Sequence, residues 1–381
     1  VVDGGGNPVS GASILLNGAD LRTTGANGKL SAPYTNVTPP YNLSVTFSGN
    51  VFEYQGLQRA NPQISQFGTQ KNTTIAGNVS GTTYPLPAGT GILIGSSNNT
   101  YTSLLVANSA TGNYGPANIF WSGADNTTAD LVALKYTFTG AAFTSFSQSG
   151  KRSGVALQKG VGSTGLNITL DSAVASQDAT LTYNAGAYTA ITGGGLWNFK
   201  VDTATFYLFG LVSIPNGGST KMPSAGGSFY LTGNDAGGNK ALIVAPAVLG
   251  GSTNINFPAA TVLKNSVPTN GQTAVSKTPT LGWAPVSGAT LYEVLLTGGA
   301  KTYRFYLPGT ASSFTVPSYA AISAGLLGTT NYSWSVQGWK GTGLTPDNLT
   351  DAANGNQITL FYGASAVELY SSANTTFTTA P

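Results

Sequence analysis

The sequence predicts an all-β protein, built as tandem Ig-like and transthyretin-like β-sandwich domains. Three observations carry that prediction. Short runs rich in Val, Ile, Thr, Tyr and Phe recur along the chain, bounded by Gly, Asn and Pro. Asn-Gly pairs at Asn17-Gly18, Asn27-Gly28, Asn216-Gly217, Asn270-Gly271 and Asn354-Gly355 suit two-residue hairpin turns, because both residues tolerate positive φ. Helical signals are nearly missing: no i, i+3, i+4, i+7 stripe is sustained, and the Glu, Lys and Arg that dress helix surfaces are scarce.

In chain order, strands are expected over Tyr41–Phe47, Leu131–Phe138, Thr180–Tyr183, Thr205–Leu211, Phe229–Leu231, Leu291–Leu296 and Ser333–Gln337. Two segments read as short helices, Leu57 to Phe67 and the Ala-rich Tyr319 to Leu327. Three related stretches look like opening or closing strands: Lys71–Ile75, Gly165–Leu170 and Ser252–Phe257. They divide the chain into 1–70, 71–171, 172–262 and 263–381. No long Pro or Gly/Ser linker separates these modules, so they are expected to dock closely.

Composition narrows the chemistry. The 381 residues include 16 Lys and Arg and 13 Asp and Glu, so 8% are charged, against roughly 25% in ordinary soluble domains. Cys and His are both absent. Sites for Zn, Fe–S clusters or His/Cys-ligated haem therefore lack their usual ligands, and Ser-His-Asp or Cys-His catalysis lacks its parts. No cofactor is expected. The net charge of +3 is spread thinly, with Lys151-Arg152 the only adjacent basic pair, which argues against a nucleic-acid partner. No apolar run reaches the ~18 residues of a membrane helix. The chain opens on Val rather than Met, which reads as a mature product or a fragment.

The first ~65 residues resemble a carboxypeptidase regulatory-like, transthyretin-like module. Val2-Asp3, Gly6-Asn7-Pro8-Val9-Ser10-Gly11-Ala12-Ser13-Ile14 and the hairpin Thr23–Leu30 carry the likeness. That family usually has an acidic residue where Gly25 stands, and usually opens with one more strand. Residues from 263 onward resemble a fibronectin type III-like domain. Its anchors are Pro279–Trp283, then Val286, Tyr292 and Val294, then Asn331–Val336, and last Phe377–Thr379. Both resemblances imply non-catalytic modules used for spacing, adhesion or assembly. The region 71–262 resembles only generic bacterial Ig-like sandwiches.

Candidate sites follow from what composition leaves. A carboxylate pair drives glycoside hydrolysis, but the three Glu are scattered, and Glu293, on an alternating strand, is expected to face solvent. Asp125 and Asp130 flank a Thr-rich turn, and Asp171 and Asp178 flank an expected linker. The loop Gly233–Asn239 holds one carboxylate, Asp235, and reads as a turn rather than a calcium site. Gly193-Gly194-Gly195 lacks the Lys-Ser/Thr of a phosphate loop and reads as a β-turn. Lys-to-Asn cross-linking would need a buried acid, and acids are few. Trp283 and Trp334 read as core. For Trp121, Trp197 and Trp339 a core position is one reading, and otherwise they are candidate aromatics for a subunit interface or a glycan contact. Asn-x-Ser/Thr sequons occur at Asn36, Asn42, Asn72, Asn78, Asn98, Asn126, Asn167, Asn331, Asn348 and Asn374.

Val1 and Val2 mark a candidate assembly edge. A sandwich short of its first strand exposes unpaired backbone groups that another copy can fill, and head-to-tail repetition gives a filament. A later segment of the same chain can fill the slot instead. The expected function is a non-enzymatic, extracellular structural subunit whose partners are copies of itself. A monomeric adhesin that binds surface glycans is the alternative. An accessory region of a secreted hydrolase is a third reading.

Overall fold

The fold is seen in a computed structural model. It describes residues 1–3, 6–65, 71–96, 100–102, 104–121, 123–140, 142–201, 204–207 (backbone), 213–352 and 366–381. Among these residues the chain forms 29 strands, one 3-10 turn at Ala320–Ile322 and one α-helix, Pro346–Leu349. It is an all-β chain of tandem sandwiches.

The expected strands form where their patterns place them. Tyr41–Phe47 is a strand from end to end, and Leu131–Phe138 lies inside the longer Asn126–Thr139. Alternation sets the faces: along Lys71–Ser80, Lys71, Thr73, Ile75 and Val79 point inward while Asn72, Thr74 and Ser80 face out. Asn17-Gly18 turns between Ser13–Leu16 and Asp20–Thr23 with φ of 49° and 73°, the positive pair that a tight hairpin requires. Asn354-Gly355 lies outside the described residues, as does the end of the expected strand Thr205–Leu211.

Both helix expectations fail. Tyr319–Leu327 yields only the 3-10 turn, because Tyr319 and Ser323 adopt left-handed φ at its ends. Leu57 closes a strand, and the next residues are held extended by a distant carboxylate: Asp347 Oδ1 accepts both the Gln58 and Arg59 N–H, each at 2.8 Å. Phe67 lies outside the described residues.

Three segments close by pairing an early strand, in parallel, with a late one. Lys71–Ser80 meets Ile168–Thr169, Ser176–Asn184 meets Ser252–Asn256, and Gln272–Val275 meets Thr375–Thr379. The first closure is tight: a Cβ at Gly150 would overlap the Thr169 carbonyl oxygen, so only glycine fits there.

One sheet of fourteen strands crosses segment boundaries. Its path runs Ala204–Tyr207, Ala190–Val201, Gly227–Asn234, Lys240–Pro246, Val367–Ser371, Asn331–Lys340, Leu291–Gly298, Lys301–Pro308, Asn50–Leu57, Tyr41–Phe47, Ser13–Leu16, Asp20–Thr23. Thr375–Thr379 and Gln272–Val275 branch from Asn331–Lys340. Two joins in this path link distant parts of the sequence. Asn50–Leu57 pairs in parallel with Lys301–Pro308, and Lys240–Pro246 pairs antiparallel with Val367–Ser371. The main hydrophobic core draws on all four segments, from Leu15 and Val51 through Leu93 and Phe229 to Trp334 and Phe377.

Candidate assembly surfaces

The structure relocates the candidate interface aromatics, the candidate assembly edge and Glu293. Trp121, Trp197 and Trp339 are not surface aromatics: their exposures are 1%, 2% and 6%. Each lies in a core cluster, Trp121 opposite Lys71 and Thr100, and Trp339 opposite Leu291 and Leu369. The physical reason is sheet continuity. Trp197 and Trp339 stand on a sheet whose two faces are both covered, so alternation gives them no solvent side. Trp283 and Trp334 are core residues, as expected.

Val1 and Val2 do not form an open edge. Val2 is bridged on both sides, parallel to Ser65 and antiparallel to Pro8. Its N–H donates to the Ile64 carbonyl at 2.9 Å, and the Val1 carbonyl accepts from Val9 N–H at 3.1 Å. The terminal ammonium donates to the Gly28 carbonyl at 2.6 Å, and burial pulls its pKa down. A later segment of the same chain, Ile64–Ser65, thus supplies the neighbouring backbone.

Among the described residues the acids do not converge on a site. Asp125 pairs with Lys71 and Asp130 with Lys151, so the two point to different partners. Asp178 pairs with Lys221, while Asp171 accepts from Ser172 Oγ. Asp235 is filled by its own turn and a neighbour. It accepts from Gly237 N–H, from Asn239 N–H and Nδ2, and from Thr261 Oγ1. With its acceptor positions taken by donors, this loop is a turn and not a cation cradle. Gly193–Gly195 is not the expected β-turn: it runs within the strand Ala190–Val201, paired with Thr232, Leu231 and Tyr230. No group of three or more metal-ligating side chains occurs among the described residues.

Two carboxylates instead serve the join between Asn50–Leu57 and Lys301–Pro308. Glu293 is 5% exposed, not solvent-facing as expected. It pairs with Arg304 and lies across from Tyr306, whose ring stacks on Tyr54 at 4.8 Å. On the other face Glu53, 4% exposed, accepts from Ser44 Oγ at 2.6 Å and Tyr319 OH at 2.9 Å. Burial pushes its carboxyl pKa up, and the bonds from Ser44, Tyr319 and Gln55 oppose that push. The run Leu291–Leu296 carries the missed signal for Glu293. It is apolar on both alternating faces apart from that one residue, the mark of a strand covered on both sides. Arg59 with Asp351, at 3.1 Å, adds a further tie between the first segment and the last.

What remains outside is largely uncharged. Hydroxyls pair across exposed strands: Thr137 with Thr144 and Ser145, Thr180 with Ser219, Thr192 with Thr232, and Thr280 with Thr315. Large aliphatic side chains stand exposed on three edge strands. They are Leu21 on Asp20–Thr23, Val106 on Leu105–Val106 and Val267 on Asn265–Val267. The long strand Ala142–Gln158 has its outer edge paired with Ser172–Ala173 only at Gln148 and Ser149.

No protein-family model matches this chain, and no curated protein is similar to it. Among the solved structures with slight likeness are the following two. The FN1–FN3 domains of chicken CNTN1 align at 8% identity over 73% of this chain and 92% of that chain, with a TM-score of 0.16. A DUF3823 family protein from Parabacteroides merdae aligns at 8% identity over 70% of this chain and 90% of that chain, also with a TM-score of 0.16. Likeness this slight adds nothing to the fold described above.

Proposed function

We propose that this chain is a non-enzymatic structural subunit of an extracellular filament or cell-surface assembly, and that its partners are copies of itself. The observation that carries the reading is the exposed aliphatic side chain on each of three sheet edges, Leu21, Val106 and Val267. An apolar edge with open backbone groups is a template for another strand. The chain already joins its own distant segments in this way, at Asn50–Leu57 with Lys301–Pro308. Few charges oppose the approach of like surfaces. A stable seam between copies needs a total of roughly 1,200–2,000 Å² of buried surface. Among the described residues the acids are engaged in ion pairs, turns and the join, and none of these contacts lends support to the hydrolase reading. The adhesin reading loses the three Trp residues it relied on.

Electron microscopy of the purified chain, from low to high salt, tests this. Ordered polymers that persist in high salt are the expected result. Leu21→Lys, Val106→Lys and Val267→Lys together are expected to abolish them while leaving the fold intact. Discrete single particles at every salt and protein concentration would overturn the reading.

A further inference from the structure

The sequons separate into two classes once the fold is in hand, and the separation points to a modification. Nine of the ten fall on described residues, Asn98 being the other. Asn42, Asn78, Asn167 and Asn348 have engaged side chains. Asn42 Oδ1 accepts from Gly56 N–H at 3.1 Å, and Asn167 Oδ1 accepts from Asn78 N–H at 3.1 Å. Asn78 Nδ2 donates to Thr111 O and Asn113 Oδ1, both at 2.9 Å, and Asn348 Nδ2 donates to Gly343 O at 3.0 Å. Asn36, Asn72, Asn126, Asn331 and Asn374 are exposed, and their side-chain amides make no hydrogen bond among the described residues.

Position sharpens the contrast. Asn126 and Asn331 are the first residues of their strands, Asn72 is the second of Lys71–Ser80, and Asn374 immediately precedes Thr375–Thr379. Asn36 lies in a loop with φ of 57°. Asn72, Asn126 and Asn331 lie in register with Phe120, Gln158 and Thr378, but each stands exposed at or next to the first residue of its strand, where a bulky group has open space. Three of the five share the tripeptide Asn-Thr-Thr, at Asn72, Asn126 and Asn374. None of the five lies on the joining strands Asn50–Leu57 and Lys301–Pro308. None lies on the edge strands bearing Leu21, Val106 and Val267.

We infer that Asn36, Asn72, Asn126, Asn331 and Asn374 are N-glycan attachment sites. The sugar donor is an oligosaccharide on a lipid diphosphate, transferred by an oligosaccharyl transferase of the producing cell. The Asn Nδ2 attacks the anomeric carbon, and the C–N bond forms as the bond from that carbon to the phosphate oxygen breaks. The lipid diphosphate leaves, and the amide nitrogen gives up one proton. The glycans supply the hydration that so few charges cannot, and they leave the joins and the aliphatic edges uncovered. This inference stands apart from the assembly reading, since glycans at these positions are compatible with a monomer.

Glycopeptide mapping by mass spectrometry, on the protein recovered from the organism that makes it, is the test. Peptides with the five exposed sequons are expected to carry sugar mass increments. Those with Asn42, Asn78, Asn167 and Asn348 are expected at their unmodified masses. An Asn126→Gln variant made in the same organism should lose one increment from the intact mass. Unmodified peptides at all five positions would overturn the inference, as would equal modification of the engaged class.

Discussion

Trp121→Ala is expected to destabilise the segment 71–171 by about 3–5 kcal/mol, the cost of emptying a large aromatic site in a core. The ring is buried in a core cluster with Ile75, Ile119 and Leu131, and its Nε1 donates to the Ala124 carbonyl at 2.9 Å. Ala would leave a cavity between the sheets and an unpaired carbonyl at the turn that carries Asp125. Urea denaturation followed by circular dichroism should show a lowered midpoint for this segment. Trp121→Phe keeps most of the ring volume and should cost distinctly less. A tryptophan serving as a glycan platform would behave oppositely, with an unchanged midpoint and weakened sugar binding.

Arg304→Ala is expected to cost a comparable amount, about 3–5 kcal/mol, because it strands a buried charge. Glu293 is buried facing the largely covered Arg304, with little water to replace the guanidinium. The loss should appear at the join, since Arg304 lies in register with Phe52 of the first segment. The double variant Glu293→Gln, Arg304→Met removes both charges and should recover much of the stability, since a buried pair contributes little net over apolar replacements. If the single variant unfolded no more easily than the parent, the pair would be solvated and the join looser than described.

The pair also shows where sequence reading reaches its limit. The all-β class, the Asn17-Gly18 hairpin and the cores around Trp283, Tyr292 and Trp334 were legible, because local turn chemistry and alternation determine them. Glu293 was misread because alternation assigns one face to solvent, whereas this strand lies deep in a sheet covered on both sides. Trp197 and Trp339 are buried for the same reason, whereas Trp121 lies on the buried face of a strand whose other face is open. Burial on a second face depends on strands far away in the chain, and no local pattern reports them. Glu53 and Tyr319, 266 residues apart, share a hydrogen bond that only the join creates. The helix expected from Leu57 fails on an equally remote contact, the Asp347 carboxylate that binds the Gln58 and Arg59 backbone. The open edge expected at Val1 and Val2 disappears because Ile64–Ser65 returns to lie beside them.

Strand pairing between distant segments is thus the device that organises this molecule, and the assembly reading extends it to copies. Hydrogen exchange measured by amide-resolved mass spectrometry on the intact chain tests that device most directly. Amides of Asn50–Leu57 and Lys301–Pro308 are expected to be protected together and to open with the same free energy, as one cooperative unit. Rapid exchange of Asn50–Leu57 while Leu291–Gly298 stays protected would contradict the account, for it would leave the first segment tethered beside the sheet and not built into it.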